Sequence, residues 1–333
     1  MAGRHPAATA RVARDIQLTL FGEPEPAEAP PAVDALAIEH EEAARLAADI
    51  PAGIFFGTSS WSFPGWKGLV YSSSASTATL ARDGLLEYAR HPLLRTVGLD
   101  RSYYAPIPES DLQRYADQLP EGFPCCAKAP SAVTSAEPDF LSVDRFLFEI
   151  LEPFARSFAS HTGPFILQFA PGAARAVQSP QHFAHALDAF LGRLPTEFQY
   201  AVELRDRALF TPEYRQVLAS HGAAHVYNFW SHVPLPARQA TFLPPEDQPF
   251  SVVRLLMRPG ATYEEQREAF RPFNRIVEPS ETVRAQVADI ARRVVNRGRR
   301  VFVLVNNKAE GSAPLTIKAI AARLAAERQK DAT

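Results

Sequence analysis

Cysteine is nearly missing from this chain of 333 residues, and the two present are neighbours, Cys125 and Cys126. Adjacent residues of a strand point to opposite faces. The pair therefore argues against an ordinary intrachain disulfide and a protein-only zinc site, and suits a reducing compartment. Long hydrophobic runs are missing too: none reaches a membrane-spanning length, and the arginine-bearing N-terminus lacks the apolar core of a secretory signal. Met1–Arg14 is basic and free of acids, so a transit peptide is the alternative to the expected cytoplasmic location. Charge of one sign is not in excess. A net charge of −2 advertises neither nucleic acid nor membrane as a partner. Lysine is scarce, five against thirty arginines. Arginine suits bidentate oxyanion recognition, whereas the Ala- and Pro-rich composition points to base bias as the cause.

Equally absent are a glycine-rich dinucleotide fingerprint, a phosphate loop and HExxH, so no cofactor and no metal are expected. His182 and His185 fall on one helix, and His221 and His225 flank a loop at the opposite end from the expected site; both pairs read as ordinary histidines. Ser59 and Ser60 have no evident histidine partner for a triad.

What is present is a core, 46% hydrophobic residues, and an alternation of strands and helices. Val301–Val305 reads as a strand buried on both faces, ending abruptly in the polar stretch Asn306, Asn307, Lys308, Glu310. The same pattern predicts strands at Ile54–Gly57, Arg95–Leu99, Phe123–Ala127, Pro164–Phe169, Gln199–Glu203, His225–Phe229, Phe250–Leu255 and Arg300–Val305. Helices are expected at Leu80–Tyr88, Glu109–Gln118, Val143–Phe158 capped by Ser142, Pro180–Leu191, Pro212–Ser220, Glu281–Asn296 capped by Ser280 and stopped by Gly298, and Ile317–Glu327. Eight strands each followed by a helical segment indicate an α/β TIM barrel over 51–328, with an open doubly wound sheet as the alternative. Residues 1–50 are expected to be a disordered extension: 22–32 are rich in Pro, Glu and Ala. Ala35–Asp49 within it has helical propensity and could pack on the outside of the barrel.

Gly57-Thr58-Ser59-x-Trp61-Ser62, Lys128-Ala129-Pro130, Gln168-x-x-Pro171, Val202-Glu203-x-Arg205 and Asn306-Asn307-x-x-x-Gly311 occur in this order. Together they resemble the YecE-like proteins, domain-of-unknown-function family 72, over about Gly53–Leu324. The resemblance implies a TIM barrel and no settled reaction. The chain departs from the family at Gly98 and Asp100, where Glu and Asn are usual. At Leu256, Asp206 and Ser135 the family's histidine-bearing positions hold no histidine, and Met257 stands where glycine is usual.

In a TIM barrel the polar residues at the C-terminal ends of strands face the substrate. Alternation places Glu203 and Arg205 on the face of Ala201, Gln168 with Ile166, Lys128 with Cys126, Arg254 with Val252 and Asn306 with Leu304. Three cations (Lys128, Arg205, Arg254) then meet one carboxylate (Glu203) at the mouth, which points to an anionic substrate, a phosphate or a carboxylate. Glu203 is read as the general acid or base, its proton affinity raised by burial. Lys128 and Arg254 would stabilise developing negative charge. Arg205, Gln168, Asn306, Asn307 and Asp100 would hold the substrate, and Trp61 and Tyr104 could stack on a planar group. The competing reading is a buried ion-pair network that merely closes the barrel top. His232, after the sixth strand, is the one histidine expected near this mouth. Arg292, Arg293, Arg297, Arg299 and Arg300 read as a solvated basic face, with phosphate contacts as the alternative.

Gln17-Leu18-Thr19-Leu20-Phe21 resembles the bacterial sliding-clamp-binding peptide, with Gln17, Leu18, Leu20 and Phe21 as the anchoring side chains. Two functions thus stand side by side. One is a metal-independent hydrolase or lyase acting on an anionic small molecule or nucleotide-like group. The other is a clamp-tethered accessory protein of DNA replication or repair, binding nucleic acid or a partner. Whether the barrel is catalytic is open at this level.

Overall fold

The computed structural model describes residues 34–135, 138–172 and 179–331. Eight strands close a parallel barrel in chain order: β1 (Ile54–Thr58), β2 (Leu94–Leu99), β3 (Cys125–Lys128), β4 (Thr162–Phe169), β5 (Tyr200–Leu204), β6 (Ala224–Phe229), β7 (Ser251–Leu255) and β8 (Val301–Val305). β8 pairs with β1, from Ile54 against Val301 to Thr58 against Val305, and so removes both sheet edges. The open-sheet alternative is thereby excluded.

Alternation along these strands builds two cores rather than one. Inward positions pack the barrel interior with Cys126, Ile166, Ala201, Ala224, Val226, Phe250, Val252, Phe302 and Leu304. Phe55 stacks on Phe302 in this interior, centroids 5.1 Å apart. Outward positions such as Phe56, Phe165, Leu167, Val202, Val253 and Val303 pack against the surrounding helices. The adjacent cysteines divide as expected: Cys126 lines the interior, Cys125 the outer layer, and both are free thiols. Close packing between β1 and β2 depends on Gly57, where an added Cβ would fall 2.0 Å from the Thr96 carbonyl oxygen.

Helix boundaries follow local signals. Pro180–Leu191 and Pro212–Ser220 begin with proline at the first turn and are capped by Ser179 and Thr211. Ser142 caps the next helical stretch, accepting from the Arg145 N–H; a π turn over Leu147–Leu151 interrupts it. The helix expected over Leu80–Tyr88 is divided at Gly84 into Thr77–Asp83 and Leu85–Tyr88. β3 starts two residues later than predicted because Pro124 has no N–H to give the ladder. Ser280 does not cap Glu281–Val295 with its side chain. Its backbone N–H instead donates to Glu310 Oε1 at 2.6 Å, so a carboxylate from the β8 loop occupies that helix N-terminus.

The N-terminal boundary is corrected. Ala35–Asp49 is a helix within the main folded unit, which begins at Ala35 rather than 51. Its Ala43 is fully buried, and Lys318 of the last helix (Ala313–Asp331) reaches Glu39 at 2.7 Å and also Glu42. Among the described residues no helix is long and apolar enough to cross a membrane.

Candidate functional site

The mouth is built from the C-terminal ends of five strands, β3 to β7, and the loops that follow. Gln168 of β4 lies directly beside Glu203 of β5 in register, and Asn228 of β6 beside Arg254 of β7. Each sits two residues beyond an interior apolar position, so each side chain continues an inward column.

Glu203 is the hub. Arg205 Nε donates to its Oε1 at 2.6 Å, and Arg254 Nη1 donates to its Oε2. The same two arginines converge on Gln168 Oε1, Arg205 Nη2 at 2.9 Å and Arg254 Nη1 at 3.3 Å. Arg254 then continues to Asp100, with Nη2 3.3 Å from both carboxylate oxygens. Lys128 Nζ lies 3.2 Å from Asp100 Oδ2. Six of the expected residues (Asp100, Lys128, Gln168, Glu203, Arg205, Arg254) therefore form one continuous network. All but Asp100, which is partly open to solvent, are buried.

Two aromatic side chains complete the cluster and were not singled out from sequence. Lys128 Nζ lies 5.0 Å from the centre of the half-buried Tyr103 ring, and the Arg205 guanidinium lies 4.3 Å from that of Trp230. Trp230 continues the inward phase of Ala224, Val226 and Asn228, a signal that alternation could have supplied. Asn228 donates its amide to the Leu204 carbonyl at 2.9 Å, while its Oδ1 is buried without a partner. Arg254 Nε is likewise buried and unpaired.

Electrostatics weigh against the acid–base role expected of Glu203. Burial acts to raise its proton affinity, but Arg205, Arg254 and Lys128 outweigh burial and hold the carboxyl at about 2. With both oxygens occupied by guanidinium groups it is a charged strut, not a base poised near neutrality. Lys128 moves the other way. Burial, reinforced by the neighbouring Arg254, lowers its ammonium to about 8 against the pull of Asp100 and Glu203. The group at this mouth best matched to proton transfer near neutral pH is thus Lys128.

Four expected residues stand elsewhere. Trp61 is only 6% exposed, donates Nε1–H to the Leu80 carbonyl at 2.8 Å and meets Tyr115 edge-on. It is a core residue, not a stacking platform. Asn307 is buried and accepts from Trp66 Nε1 at 3.2 Å and from the Ala313 N–H at 2.8 Å, tying the β1 loop to the last helix. Asn306 uses its Oδ1 to accept from the Lys308 N–H at 3.0 Å, capping the short turn after β8. Tyr104 is 81% exposed and touches Tyr103 edge-on, so it stands at the rim. Lys308, from the same turn, projects over the Tyr263 ring at 4.3 Å. Burial lowers its proton affinity, and Asp100 pulls the other way. Gln17, Leu18, Leu20 and Phe21 lie outside the described residues.

Beside the network opens a cavity of about 540 Å³ lined by Pro171, Gly172, Arg205, Asp206, Arg207, His232, Val233 and Pro234. His232, in the left-handed backbone region at φ 69°, is placed at this wall, as the sequence position suggested. His225 is a core residue, bonded to the Tyr214 hydroxyl at 2.9 Å and to Gln239 Oε1 at 3.1 Å. Among the described residues no group of three or more His, Cys, Asp and Glu gathers as a metal site would require. In the basic cluster, Arg293 pairs with Glu246, and Arg299 donates to the Glu246 carbonyl at 2.7 Å, so both brace the β6–β7 connection.

Comparison with other proteins follows the fold. A DUF72 protein from Thermotoga maritima superposes with a TM-score of 0.56 at 19% identity, covering 81% of this chain and 98% of the other. One from Enterococcus faecalis gives a TM-score of 0.54 at 19% identity, covering 81% and 95%. At that identity the likeness speaks for the barrel alone. No curated protein matches the chain. The model of the family described as protein of unknown function DUF72 matches residues 55–333, nearly the whole barrel, and the chain belongs to that family.

Proposed function

We propose that the barrel mouth is the site of a hydrolase or lyase that acts on a small phosphorylated or carboxylated substrate, with Lys128 as the proton-transfer group. The observation that carries this reading is the charge count of one buried network. Among the described residues Lys128, Arg205 and Arg254 pair with Glu203 and Asp100, and Asp206, Arg207 and His232 line the adjoining cavity. Buried charge is tolerated when it is matched. A net positive cluster that opens on a cavity therefore favours an anion, and water excluded around it strengthens the attraction. Glu203 and Gln168 hold the guanidinium groups in place, and Lys128, deprotonated in a substantial fraction of molecules near pH 8, takes or returns the proton. No step needs a cofactor or a bound metal. Two buried free thiols agree with a reducing, cytoplasmic setting.

Calorimetric titration with inorganic phosphate, then with a panel of phosphorylated and carboxylated metabolites followed by mass spectrometry, tests the proposal. Wild-type protein is expected to bind phosphate and to convert at least one panel member. Lys128→Met should abolish conversion. Absence of phosphate binding by correctly folded protein would overturn the anion site.

A second reading concerns the tail. Gln17-Leu18-Thr19-Leu20-Phe21 precedes the folded unit by more than a dozen residues, a placement that suits a tethering peptide. We infer that it binds a bacterial sliding clamp and carries the barrel to DNA. Deleting 17–21 should abolish clamp binding in a pull-down with the purified clamp and leave phosphate affinity unchanged; undiminished clamp binding would refute it.

A further inference from the structure

We propose that Lys128 is the amine of an imine-forming site, and that its substrate is a small aldehyde or ketone carrying a carboxylate or phosphate. This rests on the anion-site reading above and narrows it to carbonyl chemistry of the lyase type.

Placement carries the inference. Lys128 ends β3, its side chain rising from the interior position of Cys126 into a nearly closed mouth. The carboxylate next to Nζ is not its own: Asp100 lies 3.2 Å from Nζ and is shared with Arg254 Nη2, 3.3 Å from each oxygen. A lysine kept for structure would be expected to own its counter-ion. Here the anion is divided, a second cation crowds the amine, and burial adds to both, which together favour the neutral, nucleophilic form. The Tyr103 ring walls one side of Nζ, 5.0 Å away. Asp100, partly open to solvent, is placed to relay protons. Across the network, Arg205 faces the cavity that Asp206, Arg207 and His232 also line. In the proposal the substrate's anionic group sits there, with its carbonyl end toward Lys128.

The covalent step balances without an added reagent. The Nζ lone pair forms the C–N bond as the carbonyl π pair moves to oxygen. Transfer of one proton from nitrogen to oxygen through Asp100 gives the carbinolamine. The nitrogen lone pair then expels the hydroxyl, which leaves as water with a proton taken from solvent. The sum is amine plus carbonyl plus a proton, giving iminium plus water. In an aldol-type cleavage the iminium takes up the electron pair of the Cα–Cβ bond, the β-hydroxyl gives its proton to solvent and that fragment leaves as an aldehyde. The resulting enamine takes a proton from solvent at Cα, and water hydrolyses the iminium so formed to the shorter carbonyl compound and free lysine.

Borohydride trapping tests this on the full-length protein. Wild-type protein is incubated with pyruvate, or with dihydroxyacetone phosphate, then reduced, and read by intact mass and peptide mapping. The expected result is one reduced adduct with at least one probe, dependent on both carbonyl and borohydride and confined to the peptide bearing Lys128. Lys128→Arg should show no adduct while still binding inorganic phosphate. If that variant does not fold, the wild-type map alone decides. No adduct with either probe, or equal labelling of the exposed Lys67 and Lys330, overturns the imine. Phosphate binding without an adduct sinks the imine and leaves the anion site standing, whereas failure of both phosphate and the probes to bind sinks both.

Discussion

At the start of helix Glu281–Val295, one cation, Arg284, meets two carboxylates, Glu310 and Glu281, whereas among the described residues of the mouth three cations share two carboxylates. The Arg284–Glu310 pair is saturated. Arg284 Nε lies 3.0 Å from both Glu310 oxygens, Nη2 lies 2.9 Å from Oε2, and the Ser280 N–H adds a further bond. Both residues are buried, and the pair clamps the β8 loop to the helix; Gly311, at φ 120°, makes the turn that brings Glu310 there. The mouth, equally buried, leaves Arg254 Nε and Asn228 Oδ1 without partners and a lysine whose proton is loosely held. A cation outnumbered by carboxylates has no further business with an anion. An unmatched cluster beside a cavity does. Stoichiometry and satisfaction, more than burial, separate a strut from a site.

The largest expected effect comes from the mouth's hub. Glu203→Gln leaves two guanidinium groups short of an anion and should cost about 3–5 kcal/mol in urea unfolding. Phosphate affinity should change with it, since Glu203 holds the Arg205 and Arg254 guanidinium groups; unchanged affinity would separate this hub from the anion site. Its folded value of about 2 lies below the roughly 4.3 of an unfolded glutamate. Its contribution is therefore complete above about pH 5 and lost as pH falls from about 4 toward 2. Acid unfolding of the variant should lack that component.

Glu310→Gln should be nearly as costly, about 3 kcal/mol, with phosphate affinity unchanged. A fall in affinity would erase the distinction between the two clusters.

Lys128→Met inverts the sign. The wild-type lysine at about 8 lies below the roughly 10.4 of an unfolded lysine, so the unfolded chain binds more protons between these values. Wild-type stability should rise with pH across that window by up to about 3 kcal/mol. The variant should lose this rise, be no less stable at pH 7, and no longer be active. A pH-independent wild type would show that Lys128 is an ordinary paired lysine.

The smallest effect belongs to Trp61→Phe, which removes the bond to the Leu80 carbonyl and one of the two fused rings, for about 2 kcal/mol. Phosphate affinity and turnover should not change. A tenfold loss of either would return Trp61 to the site.

Much of the barrel was legible because its determinants are local. Runs such as Val301–Val305, proline at helix starts and period-two alternation say which residues form each element and which side of the sheet they face. That was enough to place Lys128, Gln168, Glu203, Arg205 and Arg254 at the mouth. The same logic placed Trp61 and Asn307 at the site: position after a strand does not reveal whether a partner waits elsewhere in the fold, and for both one does, the Leu80 carbonyl for Trp61 and Trp66 Nε1 for Asn307. It also passed over Tyr103 and Trp230, whose roles exist only once a cation from another strand lies over the ring.

The sequence by itself determined the order of strands and helices, the inward column of each strand and the excess of cations at one end. Only the tertiary structure decided the chemistry of each charge. A proton affinity is a sum over neighbours in space, and the neighbours of Glu203 and Lys128 come from β2, β5 and β7, over a hundred and fifty residues apart along the chain and within hydrogen-bond reach in the barrel.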